Sequence, residues 1–309
     1  MEKLFVTGGS GLLGSNILKL VPKKFEVFGS FNKNKIFFKN ISLLKIDLSD
    51  KKQINVIKEL KPDCIIHCAA LVNLDECEKN PENAYKQNVV STENIVNVTE
   101  EINCFLIHIS TDAVYDGTKG NYSEIDKPNP INVYGNTKLE AEEIIKTSNI
   151  EYCIVRTNIY GWNIIDKFSL AEWMIDRLEN GEELPAFRDI QFTPILVNNL
   201  AQALFNIYDN KIQGILNVSG SQSCSKFEFA RNIADIFHFN KNLIKPVNID
   251  EIKLIARRGK NLSLNTQKAQ SLLETKLFNV KEGLHEMKRL REIGYVNELK
   301  GLCPKKSRL

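Results

Sequence analysis

A stretch near the amino end, Thr7-Gly8-Gly9-Ser10-Gly11-Leu12-Leu13-Gly14, limits what this chain can fold into more than any other. It follows the apolar run Leu4-Phe5-Val6 and leads into apolar residues at helical spacing as far as Leu20, with Pro22 as the stop. Glycines at 8, 11 and 14 let the backbone turn tightly between strand and helix and let a ligand approach it closely; the helix N-terminus then faces an anion. A glycine-rich turn with no ligand would satisfy the same string. A strand before it and an amphipathic helix after it favour the pyrophosphate of a dinucleotide, held by Gly8, Ser10, Gly11, Leu12, Leu13 and Gly14.

The remainder alternates strand and helix patterns. Strands are expected at 25–31, 43–46, 63–67, 104–109 and 152–156, with helices at 49–60 and 81–101 and a further helix carrying Tyr134 and Lys138. Such alternation is the pattern of right-handed parallel crossovers. Beyond Ile159 it weakens: helices are expected at 168–178, 197–208, 226–237 and 280–290, a strand at 215–218, and irregular or extended chain at 187–194. The fold class is therefore α/β, a Rossmann-like doubly wound parallel sheet with a smaller C-terminal α/β substrate-binding domain. Residues 1–160 and 194–220 are assigned to the dinucleotide domain, 161–193 and 221–309 to the substrate domain. A basic tail at 304–309 is expected to fray.

Composition narrows the function classes. With 309 residues and 43% apolar side chains, the chain can bury a sizeable core. Its 41 basic and 38 acidic residues are interspersed, which points to neither a nucleic-acid nor a membrane partner. No apolar run approaches the ~20 residues of a membrane helix, and the first residues already read as a strand rather than a leader. Seven cysteines, with no C-x-x-C pair, fit a reduced, cytoplasmic setting. Cys64, Cys68, Cys104, Cys153, His67 and His108 lie in or beside strand-like runs and read as core rather than as metal ligands; no metal site is expected.

Two further stretches carry chemistry. In dinucleotide folds a carboxylate after the second strand binds the adenosine ribose hydroxyls of NAD. Here that place is Ser30-Phe31-Asn32-Lys33, whose hydroxyl, amide and ammonium donors favour the 2′-phosphate of NADP(H), with NAD(H) the alternative. Tyr134 and Lys138, four apart, share one helix face. An adjacent ammonium should stabilise the phenolate and bring Tyr134 toward neutral pH, so that it exchanges a proton with a carbonyl or carbinol oxygen while Lys138 holds a ribose. Ser110-Thr111-Asp112 is expected to follow the fifth strand directly, at its ligand-binding end; Thr111 can donate to the same oxygen, and Asp112 could touch a sugar hydroxyl or serve only in a turn.

With TGGSGLLG at 7–14, Cys68-Ala69-Ala70, Ser110-Thr111-Asp112 and the Tyr134/Lys138 pair in place, the chain resembles the extended short-chain dehydrogenase/reductase superfamily. Within it the chain is most similar to the dTDP-4-dehydrorhamnose reductases, through Asp75, Asn88, STDAVYDG at 110–117, NVYGNTKLEAE at 132–142, Arg156-Thr157, Ala256-Arg257-Arg258 and Leu264-Asn265-Thr266. The resemblance implies an NADP(H)- or NAD(H)-dependent reductase of a nucleotide-linked 4-keto-6-deoxysugar, in deoxysugar supply for surface polysaccharide. Thr111, Tyr134 and Lys138 would be catalytic; Asp47, Leu48, Ala69 and Ala70 would join the glycine loop, Ser30, Asn32 and Lys33 around the cofactor. Asp112, Asn158, Arg188, Asp189 and Arg257 would meet the substrate. Departures fall on the substrate side: Ile159 stands where an aromatic residue is expected, and Asp189-Ile190 and Pro194-Ile195 replace Asp-Gln and Pro-Thr. An epimerase or dehydratase of the same superfamily and a non-catalytic subunit resembling the methionine adenosyltransferase β subunit are the alternatives. The helix at 81–101 offers a face for a homodimer.

Overall fold

The computed structural model describes residues 1–303; the 304–309 tail lies outside the described residues. In chain order the elements are β1 (Glu2–Thr7), α1 (Leu12–Leu20), β2 (Phe25–Phe31), β3 (Ser42–Lys45), α2 (Lys51–Leu60), β4 (Cys64–His67), α3 (Leu74–Lys79), α4 (Pro81–Tyr85), α5 (Ser91–Ile102), β5 (Phe105–Thr111) and α6 (Val133–Thr147). Then come β6 (Tyr152–Thr157), β7 (Ile159–Tyr160), α7 (Leu170–Glu179), β8 (Leu184–Phe187), β9 (Gln191–Phe192), β10 (Ile195–Leu196), α8 (Val197–Asp209) and β11 (Gly214–Asn217). The last are β12 (Cys224–Ser225), α9 (Lys226–Phe237), β13 (Ile244–Val247), α10 (Gln267–Leu272), α11 (Val280–Glu292) and α12 (Tyr295–Gly301).

Seven strands form one parallel sheet in the order β11-β6-β5-β4-β1-β2-β3. The order reverses between β1 and β4, so the loops after these two strands diverge and leave a crevice at their carboxyl ends, the place where open parallel sheets bind ligands. The strands are near-continuous apolar runs because both faces are covered. Leu4, Val6, Ile66 and Ile107 pack toward α1 and α8, and Phe5, Ile65, Leu106 and Ile154 pack toward α2 and α5. Three two-stranded pairings, β10 with β7, β12 with β9 and β13 with β8, stand apart from the sheet. They account for the stretch at 187–194 that was expected to be irregular or extended.

Two differences from the expected elements have local causes. The helix expected at 81–101 is broken by a π-helical turn at Lys86–Val90 between α4 and α5. The turn brings buried Asn88 inward, where its side chain accepts from the Leu71 amide at 2.7 Å and donates to the Leu71 carbonyl at 3.1 Å and the Thr137 hydroxyl at 2.9 Å. β5 runs two residues further than expected, so Ser110 and Thr111 are its last residues rather than a loop after it. At the other end of the chain, the Tyr295 hydroxyl of α12 donates to Asn16 Oδ1 of α1 at 2.7 Å, and Asn198 of α8 donates to Tyr295 at 3.1 Å. This buried polar knot fastens the last described helix onto the first.

Candidate active site

The glycine loop is shaped by close contact. Gly8 has φ +65°, a conformation that favours glycine, and a Cβ at Gly14 would lie 2.3 Å from the Gly8 carbonyl oxygen. Gly11 caps α1 without any side-chain hydrogen bond. The first amides of α1, in Leu12, Leu13 and Gly14, therefore keep donors with no partner inside the helix, the requirement for binding a phosphate there. The loop is set against β2 through the Gly9 amide, which donates to the Ser30 carbonyl at 2.7 Å. It is tied to β4 through Thr7, whose hydroxyl accepts from the Cys68 and Ala69 amides at 3.0 and 3.1 Å.

Below the loop opens a cleft of about 610 Å³. Its lining includes Gly8, Gly11, Leu12, Leu13, Gly14 and Ala70 on the cofactor side, and Thr111, Asp112, Tyr134 and Asn158 at its centre. Ser10 and Ala69 are half-buried beside it. The remaining cofactor candidates lie outside this cleft. Ser30 is buried near the end of β2, Asn32 and Lys33 are exposed just past it, and no carboxylate is present between residues 30 and 35. The Asp47 carboxylate is engaged locally, accepting from the Ser49 amide at 3.0 Å and its hydroxyl at 2.6 Å, and Leu48 belongs to the core beneath.

Asn132 caps α6 by accepting from the Gly135 amide at 2.8 Å, which fixes the turn that presents Tyr134. Tyr134 is buried against Cys77, Ala84 and Ala113, and that burial pushes its phenol well above the usual range despite the neighbouring Thr111 hydroxyl. This corrects the expectation that Lys138 brings the phenol toward neutrality. The ammonium lies a turn deeper, outside the cleft lining, and donates to His108 Nε2 at 2.9 Å. Burial lowers Lys138 to about 8 and holds His108 well below its usual value, so the imidazole is a neutral acceptor whose Nδ1 has no partner. One further turn along α6, buried Glu142 pairs with Arg156 (Nη2 to Oε2 2.5 Å) and accepts from Ser110 at 2.5 Å, while Arg156 also donates to the Tyr115 hydroxyl at 2.6 Å. Tyr134, Lys138 and Glu142 thus share the helix face turned to the sheet.

Thr111 has two roles in its geometry. Its hydroxyl accepts from the Ala113 amide at 3.1 Å, capping a short 3-10 turn, and donates to Asp112 Oδ1 at 3.1 Å, yet it still faces the cleft. Asp112 is buried, which raises its carboxyl, and accepts from Asn158 Nδ2 at 2.7 Å. Three expected substrate residues are not brought here. Arg188 is exposed and donates to Asn248 at 2.8 Å, and Asp189 accepts from the Ile249 amide at 3.0 Å, so both fasten the chain after β8 to the segment after β13. Arg257 lines a separate, neighbouring hollow; its successor Arg258 reaches the cleft and is tied to Asp75 at 3.0 Å. The departures Ile159 and Ile190 do line the cleft, with Phe168, Phe187 and Phe192. Lys226, unnoticed from the sequence, lines it as well. The signal was present in Ser225-x-x-Glu228, a capping box that places Lys226 in the first turn of a helix.

Comparisons with known proteins agree with this architecture. A probable low-salt glycan biosynthesis reductase of Haloferax volcanii is 29% identical over 87% of this chain and 91% of its own length. The methionine adenosyltransferase 2 subunit beta of Bos taurus is also 29% identical, over 88% of this chain and 82% of its own. The structure of dTDP-4-dehydrorhamnose reductase from Bacillus anthracis, in complex with NADP, superposes with a TM-score of 0.83 at 27% identity, covering 93% of this chain and 99% of that one. The family described as the RmlD substrate binding domain matches residues 1–291, and the chain belongs to that family.

Proposed function

We propose that the protein is an NADP(H)-dependent reductase of a nucleotide-linked keto-sugar, of the 4-keto-6-deoxysugar class acted on by dTDP-4-dehydrorhamnose reductases, serving glycan biosynthesis. The observation that carries this reading is the convergence of Tyr134 and Thr111 on one cleft at the sheet's switch point, which the first residues of α1, with their unpartnered amides, also line. The dinucleotide supplies a hydride when bound. The chain's own residues do the rest. The α1 amides hold the pyrophosphate, and Asn32 and Lys33, with no carboxylate between residues 30 and 35, accommodate a 2′-phosphate. Tyr134 donates to the carbonyl oxygen, its phenol kept protonated by burial, and Thr111 joins it by turning its hydroxyl proton from Asp112 Oδ1 to that oxygen. Lys138 is held by His108 behind the cleft lining, and to restore that proton and anchor a ribose it releases His108 and turns into the cleft. The Bacillus anthracis structure with NADP and the Haloferax reductase support the cofactor and the pathway type.

A second reading, a non-catalytic subunit, is favoured by the 29% identity to methionine adenosyltransferase 2 subunit beta. The retained Thr111, Tyr134 and Lys138 set weighs against it. NADPH oxidation followed by absorbance across a panel of 4-keto-sugar nucleotides separates the two, and net consumption of NADPH also separates a reductase from an epimerase. Tyr134→Phe is expected to lower turnover by at least ~100-fold with NADPH binding retained; unchanged turnover refutes the assignment.

A further inference from the structure

His67 and His108 are neighbours in the sheet, yet their hydrogen bonding differs. Thr7 of β1, His67 of β4, His108 of β5 and Ile154 of β6 stand in register as one row. Thr7 already accepts from the Cys68 and Ala69 amides, so its own proton goes to His67 Nδ1 at 2.8 Å. His67 Nε2 then carries the ring proton and donates to Thr92 Oγ1 at 3.2 Å, and Thr92 donates in turn to the Asn88 carbonyl at 2.7 Å. Both nitrogens of His67 are thus used by the scaffold. The His108 ring lies 5.2 Å from it, centre to centre, and has no such bonds. Among the described residues its buried Nδ1 has no partner, and Nε2 meets only the Lys138 ammonium at 2.9 Å. An ammonium donates and cannot accept, so Nε2 is the acceptor and the ring proton sits on the unpartnered Nδ1. An aliphatic side chain, such as that of Ile154 next in the row, would fill the place without stranding a polar atom.

Lys138 depends on the same bond. It is 2% exposed, and among the described residues its ammonium makes no other hydrogen bond. Glu142, a turn further along α6, acts on it only through space, because Ser110 and Arg156 take both of its oxygens. Two side chains, each the other's single partner, define a withdrawn position for the lysine behind the cleft that Tyr134 and Thr111 line. Its flexible four-carbon stem lets the ammonium leave that position by rotating its own torsions, with α6 in place. We infer that His108 is a positioning residue for Lys138: it holds the ammonium in the withdrawn position and competes for it with the ribose of the dinucleotide. This rests on the NADP(H) reading above and gives it a sign. Contact between Lys138 and a ribose breaks the His108 bond, so the acceptor on His108 weakens dinucleotide binding.

Calorimetric titration with NADPH tests this on the wild type, His108→Leu, His108→Asn and His108→Gln, each alone and combined with Lys138→Met, with thermal unfolding to show that each variant is folded. The amide of glutamine reaches about as far as Nε2, whereas that of asparagine stops near Nδ1, so of the three only glutamine keeps the acceptor. His108→Leu and His108→Asn are expected to bind NADPH about fivefold or more tightly than the wild type, and His108→Gln to stay within about twofold of it. Combined with Lys138→Met, all three should bind alike. Unchanged or weaker binding in His108→Leu and His108→Asn overturns the inference, because a residue that only supports the fold gives that result. So do equal changes in the asparagine and glutamine variants, a gain that survives Lys138→Met, and a wild type that binds no NADPH. Should His108→Leu fail to fold, the asparagine and glutamine variants decide between them. The expected pattern without NADPH oxidation on any keto-sugar leaves this inference standing and refutes the reductase reading. Oxidation without the pattern refutes the inference alone.

Discussion

At the scale of single residues, the pair behind the candidate active site is the most exposed to substitution, because its charges are shielded from water and depend on each other. Arg156 and Glu142 are 2% and 0% exposed, and each completes the other's hydrogen bonding. Arg156→Met strands a buried carboxylate and is expected to cost about 3–5 kcal/mol, whereas Arg156→Met combined with Glu142→Leu should recover a good part of that; urea unfolding of the single and double variants checks it. This pair was legible only as Arg156-Thr157 within a resemblance, since nothing in the spacing of residues 142 and 156 says that their side chains meet. Tyr134 and Lys138 were legible, because four-residue spacing on a helix is local geometry. The environment that raises the Tyr134 phenol was not, since Cys77 and Ala84 come from distant parts of the chain. The exchange of Arg257 for Arg258 in the cleft has the same origin: adjacent residues in an irregular loop face different ways, and no period dictates which.

At the scale of elements, sequence and structure agree where local chemistry punctuates the chain. The bounds of α1, β2 and α9 were read correctly, helped by Pro22 and by the apolar spacing on either side. They disagree where a partner elsewhere decides the geometry, as in the π-helical turn that delivers Asn88 to Leu71 and Thr137. Short elements such as α3, α10 and β13 lack enough periods to be read, and α12 escaped for the same reason. The glycine loop is the element with the least tolerance. Gly14→Ala sets a methyl group against the Gly8 carbonyl, neither of which can yield without moving α1 from β1. Its expected cost is at least about 2 kcal/mol, with NADPH affinity reduced more than tenfold; thermal unfolding with and without NADPH separates the two effects.

At the scale of the whole molecule, two neutral histidines lie inside the sheet's covered face. His67 is fixed between Thr7 Oγ1 at 2.8 Å and Thr92 Oγ1 at 3.2 Å, and His108 is held by Lys138. Burial depresses His67 from 6.5 to about 3 and His108 well below its usual value. The unfolded chain therefore takes up protons below pH 6.5 that the folded chain refuses, and the stability these groups contribute, complete above pH 6.5, is lost as the pH falls. The loss approaches ~1.4 kcal/mol per pH unit for each histidine. Urea midpoints should drop between pH 6 and pH 5, and His67→Gln should reduce that drop. The knot between Asn16, Asn198 and Tyr295 works on a different axis, that of synthesis on the ribosome. Asn16 of α1 precedes Tyr295 by 279 residues, so its carboxamide oxygen meets the Tyr295 hydroxyl only after that long stretch has been translated. This part of the binding crevice is thus secured long after it is made, and a nascent chain carries α1 incompletely docked until α12 arrives.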